Sequence, residues 1–293
     1  MRLAPFELSQ PETVDEVVAA LAEADGDACL IAGGTALVPM LRLGLLRPGR
    51  VIALHRARDL DRLEARGAAL HIGAMATLAA VHRSSVIWSG WPMLAAAAGK
   101  VATPAIRSTA TIGGNLGYAE AASDLAPALL CLDAEVEVAG PAGQRRLPLS
   151  EFFTGFYETA LGPVELVTAV GAPAGPPGAR GGYIKFCPRS AEDKPLVGVA
   201  AMLALDGEGR CRHVRIGLGA AAPTAIRAAR AEAGLGGQVL DDAAIQAAAD
   251  TAAAEADPIS DLMGSRDYRR AMVRVWVRRL LSSLRADPDV DRR

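Results

Sequence analysis

A chain of 293 residues is long enough for two domains, each with its own core. With 51% hydrophobic and 22% charged residues it falls in the folded, globular class and outside the disordered one. A formal net charge of -2 creates no field that would draw nucleic acid or an anionic membrane, and 4% aromatic content leaves few stacking platforms for single strands.

The opening MRLAPFELSQP has one basic residue and no apolar core, unlike a secretory signal. No stretch reaches the roughly 18 continuous apolar residues of a membrane span. These features lead us to expect a cytoplasmic chain with no membrane span. Arg2 to Phe6 reads as a short extended piece, and Thr13 with Glu16 three residues on reads as the N-terminal box of a helix ending near Glu23. Ala28–Ala32 is a short apolar strand broken by Gly33-Gly34, a second helix starts near Thr35 and runs through Leu43, and Val51–Leu54 is another strand.

Two strands flank Gly67 between Leu63 and Gly73, and helices are expected at Leu78–Arg83 and Trp91–Lys100. Residues 102–118 show little regular pattern. Asp124 opens a helix to about Leu132, and Glu135–Ala139 with Arg145–Leu147 form a hairpin around Pro141–Gly143. The glycine- and proline-rich stretch 172–182 is an exposed loop. Tyr183–Cys187, Leu196–Leu205 and Cys211–Leu218 are strands of one antiparallel sheet, and the remainder is helical over Ala225–Ala233, Asp242–Ala256 and Ser265–Leu284. The main boundary is expected near Leu161–Glu165.

Chemistry concentrates in two glycine turns. The first is Ile31-Ala32-Gly33-Gly34-Thr35-Ala36-Leu37, where an apolar strand meets two glycines and then a helix. Paired glycines permit positive φ and close approach, and successive N–H groups at such a turn make an anion cradle. The second, Thr111-Ile112-Gly113-Gly114-Asn115-Leu116-Gly117, repeats the logic and adds a side-chain amide. Asp124 follows as an acid able to accept from ribose hydroxyls. Two such nests suit one ligand with two adjacent phosphates. Alone, either pair reads first as a tight turn, and neither matches the Walker or the Gly-x-Gly-x-x-Gly pattern.

Four cysteines (Cys29, Cys131, Cys187, Cys211) and four histidines (His55, His71, His82, His213) form no short ligand pair, so ordinary thiols and no metal site are expected. Ser150, Ser190 and Ser260 have no obvious His or Asp companions. Asp241-Asp242 reads as a helix cap. The basic, amphipathic stretch Arg266–Leu281 could lie on a membrane surface, but reads better as a helix packing its apolar face while its arginines snorkel.

At these residues the sequence resembles the FAD-binding medium subunits of molybdenum hydroxylases, the carbon monoxide dehydrogenase and xanthine dehydrogenase family. Ala32–Thr35 followed by Leu37–Met40 is similar to the family's first FAD motif. Ile106-Arg107, Thr111–Asn115 and Ala122–Pro127 are similar to the second. Tyr183-x-Lys185-x-x-x-Arg189-Ser190-Ala191 looks like the opening of its C-terminal domain. The likeness runs from about residue 3 to residue 285, and both motifs in order at this separation make it specific.

The resemblance implies an α+β fold. A vanillyl-alcohol-oxidase-type FAD-binding domain would occupy residues 1–163, in subdomains of about 1–55 and 56–163. A C-terminal domain with a three-stranded antiparallel sheet and helices would occupy 164–293. It further implies FAD held at the diphosphate by main-chain N–H groups of Ala32, Gly33, Gly34 and Thr35, with Ala36 and Leu37 following, and of Thr111, Gly113, Gly114 and Asn115. By the same likeness Asp124 would contact the ribityl, ribose or phosphate region, the backbone at Leu166 the isoalloxazine edge, and Lys185 would lie near the ring and favour anionic reduced flavin.

Two departures stand out. Ala36 occupies a position where the family usually has an acid, and Glu192–Pro195 replaces a commonly aromatic or aliphatic position, leaving it open whether that segment faces the flavin or a partner. No cysteine-bearing insertion for an iron–sulfur cluster is seen. The implied activity is that of an oxidoreductase subunit with no catalytic residue of its own. It would pass electrons from [2Fe-2S] clusters of a small subunit through FAD to an external acceptor, beside a large molybdopterin-binding subunit, as a dimer of heterotrimers. A free-standing flavin oxidoreductase of the same fold and a scaffold that has lost FAD are the competing readings.

Overall fold

The computed structural model describes residues 3–286. The N-terminal unit alternates β1 (Glu7–Ser9), α1 (Val14–Glu23), β2 (Ala28–Ile31), α2 (Leu37–Leu43) and β3 (Arg50–Ala53). Helical crossovers make its three-stranded sheet parallel, in the order β1-β3-β2. Thr13 caps α1 by accepting from the N–H of Glu16, as its sequence signature suggests, but the Glu16 carboxylate reaches back to the N–H of Glu12 rather than to Thr13 itself. Val17, Leu21, Ile52 and Leu54 form the small core beneath this sheet. Residues 3–6 carry no strand, and Arg2 of the expected first strand lies outside the described residues.

After a 3-10 turn at Leu54–Arg56 the second unit opens with β4 (Leu63–Arg66) and β5 (Ala69–Gly73). Seven helical pieces then follow, interrupted by one hairpin: α3 (Leu78–Arg83), α4 (Ser85–Gly90), α5 (Pro92–Gly99), α6 (Pro104–Arg107), α7 (Ile112–Tyr118), α8 (Leu125–Cys131), the hairpin β6 (Glu135–Gly140) and β7 (Gly143–Pro148), and α9 (Leu149–Phe152). A small hairpin of β8 (Phe153–Gly155) and β9 (Glu158–Thr159) leads to β10 (Leu166–Pro173). The five-stranded sheet runs β4-β5-β10-β6-β7, with β10 antiparallel to both neighbours.

The third unit has β11 (Arg180–Phe186), β12 (Val197–Leu205), β13 (Cys211–Gly219) and the two-residue β14 (Ile226–Arg227), then α10 (Ala229–Leu235), α11 (Asp242–Glu255) and α12 (Arg266–Ala286). Its sheet has four strands rather than the three expected, because Ile226 and Arg227 pair with Leu218 and Gly217 ahead of α10. The strand β12, VGVAAMLAL, is apolar almost throughout because both its faces are covered. Val197, Val199 and Leu203 meet the helices α10–α12, while Ala200 and Met202 join the core of the second unit with Tyr183, Met93 and Leu129.

Three expectations need correcting. Residues 102–118 are not irregular, since α6 and α7 lie there, each capped by a threonine: Thr103 accepts from Ile106 N–H and Thr111 from Gly114 N–H. The helix α4 also went unread. A boundary between 163 and 164 falls ahead of β10, yet β10 is the central strand of the five-stranded sheet, and the chain leaves that sheet only at Pro173. The loop expected at 172–182 is confined to 174–179.

Candidate functional site

The two glycine turns meet. A Cβ built on Gly33 would stand 1.9 Å from the Thr109 carbonyl oxygen and 3.0 Å from Ala110 Cα, so the first turn lies flush against the strand of chain that enters the second. Gly34 takes φ +70, the left-handed region that lets the chain swing from β2 into α2. On the other side Gly113 donates its N–H to the Ala74 carbonyl at 2.8 Å, an approach a Cβ at 2.5 Å from Ala74 Cβ would prevent.

Between the turns lies a cavity of about 580 Å³, within the range of small-molecule and cofactor sites. Ala32, Gly33, Gly34, Thr35, Ala36, Leu37, Thr111, Gly113, Gly114, Asn115 and Leu166 all line it. Leu21, Leu54, Ala74 and Leu78 give it apolar walls, and Val101, Ile106, Tyr118 and Tyr157 complete it.

The donors divide unequally between the turns. Among the described residues, nothing accepts from the N–H groups of Gly33, Gly34, Thr35 or Ala36, which leaves four successive amides at the first turn. In the second turn the four amides from Ile112 to Asn115 are already engaged. Ile112 donates to Ala76 O, Gly113 to Ala74 O, Gly114 to Thr111 Oγ1 and Asn115 to Thr111 O. This turn lines the cavity with Thr111, with Gly113 and Gly114 as wall without side chains, and with the Asn115 side-chain amide.

Asp124 and Lys185 are brought together, but not into the cavity, whose lining includes neither. Their side chains are 5% exposed and form an ion pair at 3.1 Å. Asp124 also accepts from the Tyr183 hydroxyl at 2.6 Å, while Lys185 Nζ donates to Lys100 O at 2.7 Å. Burial pushes the Asp124 carboxyl up to about 6, with Lys185 and Tyr183 pulling the other way, and burial next to Asp124 raises the Tyr183 hydroxyl as well. Asp124 stands at the start of α8 without capping it, because its carboxylate is spent on β11. The network ties the end of α5 to α8 and β11 one residue from Val101, which does line the cavity.

Sequence reasoning missed Tyr118 and Tyr157. Their rings lie 5.1 Å apart, and Phe156 packs edge-on against Tyr157 at 4.6 Å. The Tyr157 hydroxyl donates to Glu120 Oε2 at 2.7 Å, and Lys194 donates to the same oxygen. Burial works against the Glu120 carboxylate, but the bonds from Lys194 and Tyr157 hold it below its usual range. The segment Glu192–Pro195 is thus moored through Lys194 to a residue that touches a cavity-lining ring. In a chain with 4 tyrosines, two near the second glycine motif and the β8–β9 hairpin were the available signal.

Elsewhere, Asp241 caps α11 by accepting from Ala244 N–H. The helix α12 buries Val273, Val277, Leu280, Leu281 and Leu284 in the C-terminal core, and Arg279 stacks over Trp276. The four cysteines are free, and Cys29 lines the cavity. Among the described residues no helix is long and apolar enough to cross a membrane, and no cluster of His, Cys, Asp or Glu is placed to hold a metal.

A cleft with a run of open amides at one turn and apolar side chains along its other walls suits a large, phosphate-bearing organic cofactor. The relatives say which. Residues 4–175 match the FAD binding domain in molybdopterin dehydrogenase, and residues 182–284 match the CO dehydrogenase flavoprotein C-terminal domain. The chain is 34% identical to the carbon monoxide dehydrogenase medium chain of Hydrogenophaga pseudoflava over 95% of its length and 96% of that protein's. It is 33% identical to the 6-hydroxypseudooxynicotine dehydrogenase complex subunit alpha of Paenarthrobacter nicotinovorans, covering 96% and 95%. Its structure superposes with a TM-score of 0.95, at 35% identity over 98% of this chain and 99% of the other, on a chain of carbon monoxide dehydrogenase from Hydrogenophaga pseudoflava lacking the Mo-pyranopterin moiety of the molybdenum cofactor. This chain belongs to the FAD-binding medium-chain family of the molybdenum hydroxylases, and is an oxidoreductase subunit whose cofactor is FAD.

Proposed function

We propose that this chain is the electron-transfer subunit of a heteromeric molybdenum hydroxylase. It would take electrons from [2Fe-2S] clusters on a small subunit and deliver them to an external acceptor, with substrate oxidised on a large molybdopterin-binding subunit. A dimer of heterotrimers is the assembly this reading carries. The observation that supports it most is a cleft lined both by Gly33–Ala36, whose amides have no acceptor among the described residues, and by Gly113, Gly114 and Asn115.

The cleft suits FAD in its donor set and its shape. Bound there, FAD supplies the capacity to accept electrons from one centre and release them to another. The protein's part is to bind, orient and enclose. The Gly33, Gly34, Thr35 and Ala36 amides would hold the diphosphate, and Asn115 would add a side-chain donor. Leu21, Leu54, Leu78 and Leu166 exclude water from the organic rings, and Tyr118 and Tyr157 give flat surfaces at the wall.

In this reading Asp124 and Lys185 act from behind the wall. Their charges largely cancel, so they fix the position of Val101 and α8 rather than impose a net field on the flavin. We place the domain junction at 174–179, after β10.

The test is purification of the tagged chain from its own host. The reading predicts FAD at one per chain together with two partner chains carrying iron–sulfur and molybdenum. A yellow chain that purifies alone and turns over an oxidisable substrate by itself would establish the free-standing oxidoreductase instead. A colourless one would establish the scaffold.

A further inference from the structure

Asn115 is the side-chain amide that the second turn offers the cleft beside its engaged main-chain amides, and an amide has two unlike ends. Its oxygen would repel a diphosphate and its nitrogen would attract one, so the function of Asn115 depends on which end faces inward. Ser123 settles this. Its hydroxyl, 6% exposed as a residue, accepts the N–H of Leu125 at 3.2 Å and of Ala126 at 3.4 Å. Both lone pairs are then used, and the hydroxyl has only its proton left to give. That proton goes to Asn115 Oδ1, 2.7 Å away. With its oxygen held from behind, Asn115 has its –NH2 end free, and among the described residues nothing accepts from it.

We propose that Ser123 is a positioning residue for cofactor binding, which sets the polarity of the Asn115 amide so that its nitrogen, not its oxygen, faces the diphosphate. The proposal rests on the FAD reading of the cleft. It assigns Ser123 two separable roles: its lone pairs hold the start of α8, and its proton orients Asn115.

The experiment titrates FAD into the full-length chain stripped of flavin, reading the quenching of flavin fluorescence, with a thermal melt on each variant. Asn115→Ala weakens FAD binding about tenfold, the loss of one hydrogen bond to a charged group. Ser123→Ala weakens it roughly threefold to tenfold and lowers Tm. In the Asn115→Ala background Ser123→Ala has no further effect on Kd but still lowers Tm, because only the α8 role remains. Ser123→Thr keeps both roles and restores both readouts. Asn115→Asp, which keeps the bond from Ser123 but turns a second oxygen inward, raises Kd more than Asn115→Ala and serves where Ser123→Ala does not fold.

An unchanged Kd for Ser123→Ala with a weakened Asn115→Ala would overturn the proposal and leave the FAD reading intact. An equal Kd loss from Ser123→Ala in both backgrounds, or wild-type binding by Asn115→Asp, would also overturn it. A wild-type chain that takes up no FAD at all would sink the underlying reading instead.

Discussion

Gly33→Ala tests whether the two turns must touch for the cleft to exist. The added methyl would sit 1.9 Å from Thr109 O, 2.7 Å from Thr109 C and 3.0 Å from Ala110 Cα. Carbon and carbonyl oxygen pack no closer than roughly 3.3 Å, so the turns must part by about 1.4 Å along that line. Every offending atom is main chain, so no rotamer change relieves the clash. Overpacking costs about 1–3 kcal/mol, and a backbone clash belongs at the upper end, a fall of roughly 3–5 °C in Tm for a chain of this size. The same displacement carries the Gly33–Ala36 amides away from the Asn115 side of the cleft. Losing one charge-assisted bond to the diphosphate weakens FAD binding by roughly 10- to 100-fold. Thermal melts of the flavin-free chain and fluorescence titration of FAD read the two effects separately. Gly90→Ala is the control, since a Cβ there meets nothing within 4 Å and should be neutral or slightly stabilising. Wild-type Tm and FAD affinity in Gly33→Ala would refute the claim that the turns are in main-chain contact.

Gly114→Asp places a carboxylate beside the cleft wall, where a Cβ stands 2.9 Å from Thr111 Oγ1 and 3.5 Å from Ala32 Cβ. At about 5 Å and an effective dielectric of 20, each like-charge pair costs about 3 kcal/mol, so flavin should be lost from a chain that still folds; full FAD content would count against a diphosphate at this turn. Lys185→Ala strands a buried carboxylate and should cost about 3–5 kcal/mol of stability by urea melt, with FAD affinity within about threefold of wild type; unchanged stability with altered flavin binding would move Lys185 into the cleft. Asp124→Asn tests the sign of the buried pair. The Asp124 carboxyl is raised to about 6, so the stability it contributes is present below its ordinary range and lost as pH rises through about 6. The margin of the wild type over Asp124→Asn should shrink from pH 4 to pH 7 in urea melts; a margin that grows with pH is the mark of a lowered carboxyl and would contradict the burial argument.

The parts of the fold legible in the sequence are those with local causes. Thr13 with Glu16 marks a helix start by itself, β12 declares its burial on both faces by an almost unbroken apolar run, and Asp241 is a cap wherever α11 goes. What stayed hidden depends on distant partners. The helix α7 is IGGNLGY, which carries three glycines and little helical propensity of its own; it forms because Ile112 and Leu116 are buried and Thr111 caps it. The strand β10 reads as the approach to a loop, since only its pairing with β5 and β6 makes it central.

The site divides the same way. Both glycine turns were visible as nests, but whether their amides were open depended on Ala74 and Ala76, nearly forty residues before the second turn. Asp124 and Lys185 stand out in the sequence, but nothing local to either residue shows that they pair with one another.

The most direct test of the account is a structure of the full-length chain with FAD bound, read at the diphosphate. The account predicts phosphate oxygens within roughly 3.1 Å of amide nitrogens in the stretch Gly33–Ala36 and of Asn115 Nδ2. A diphosphate seated anywhere else on the chain, or a cleft that stays empty at saturating FAD, would contradict it.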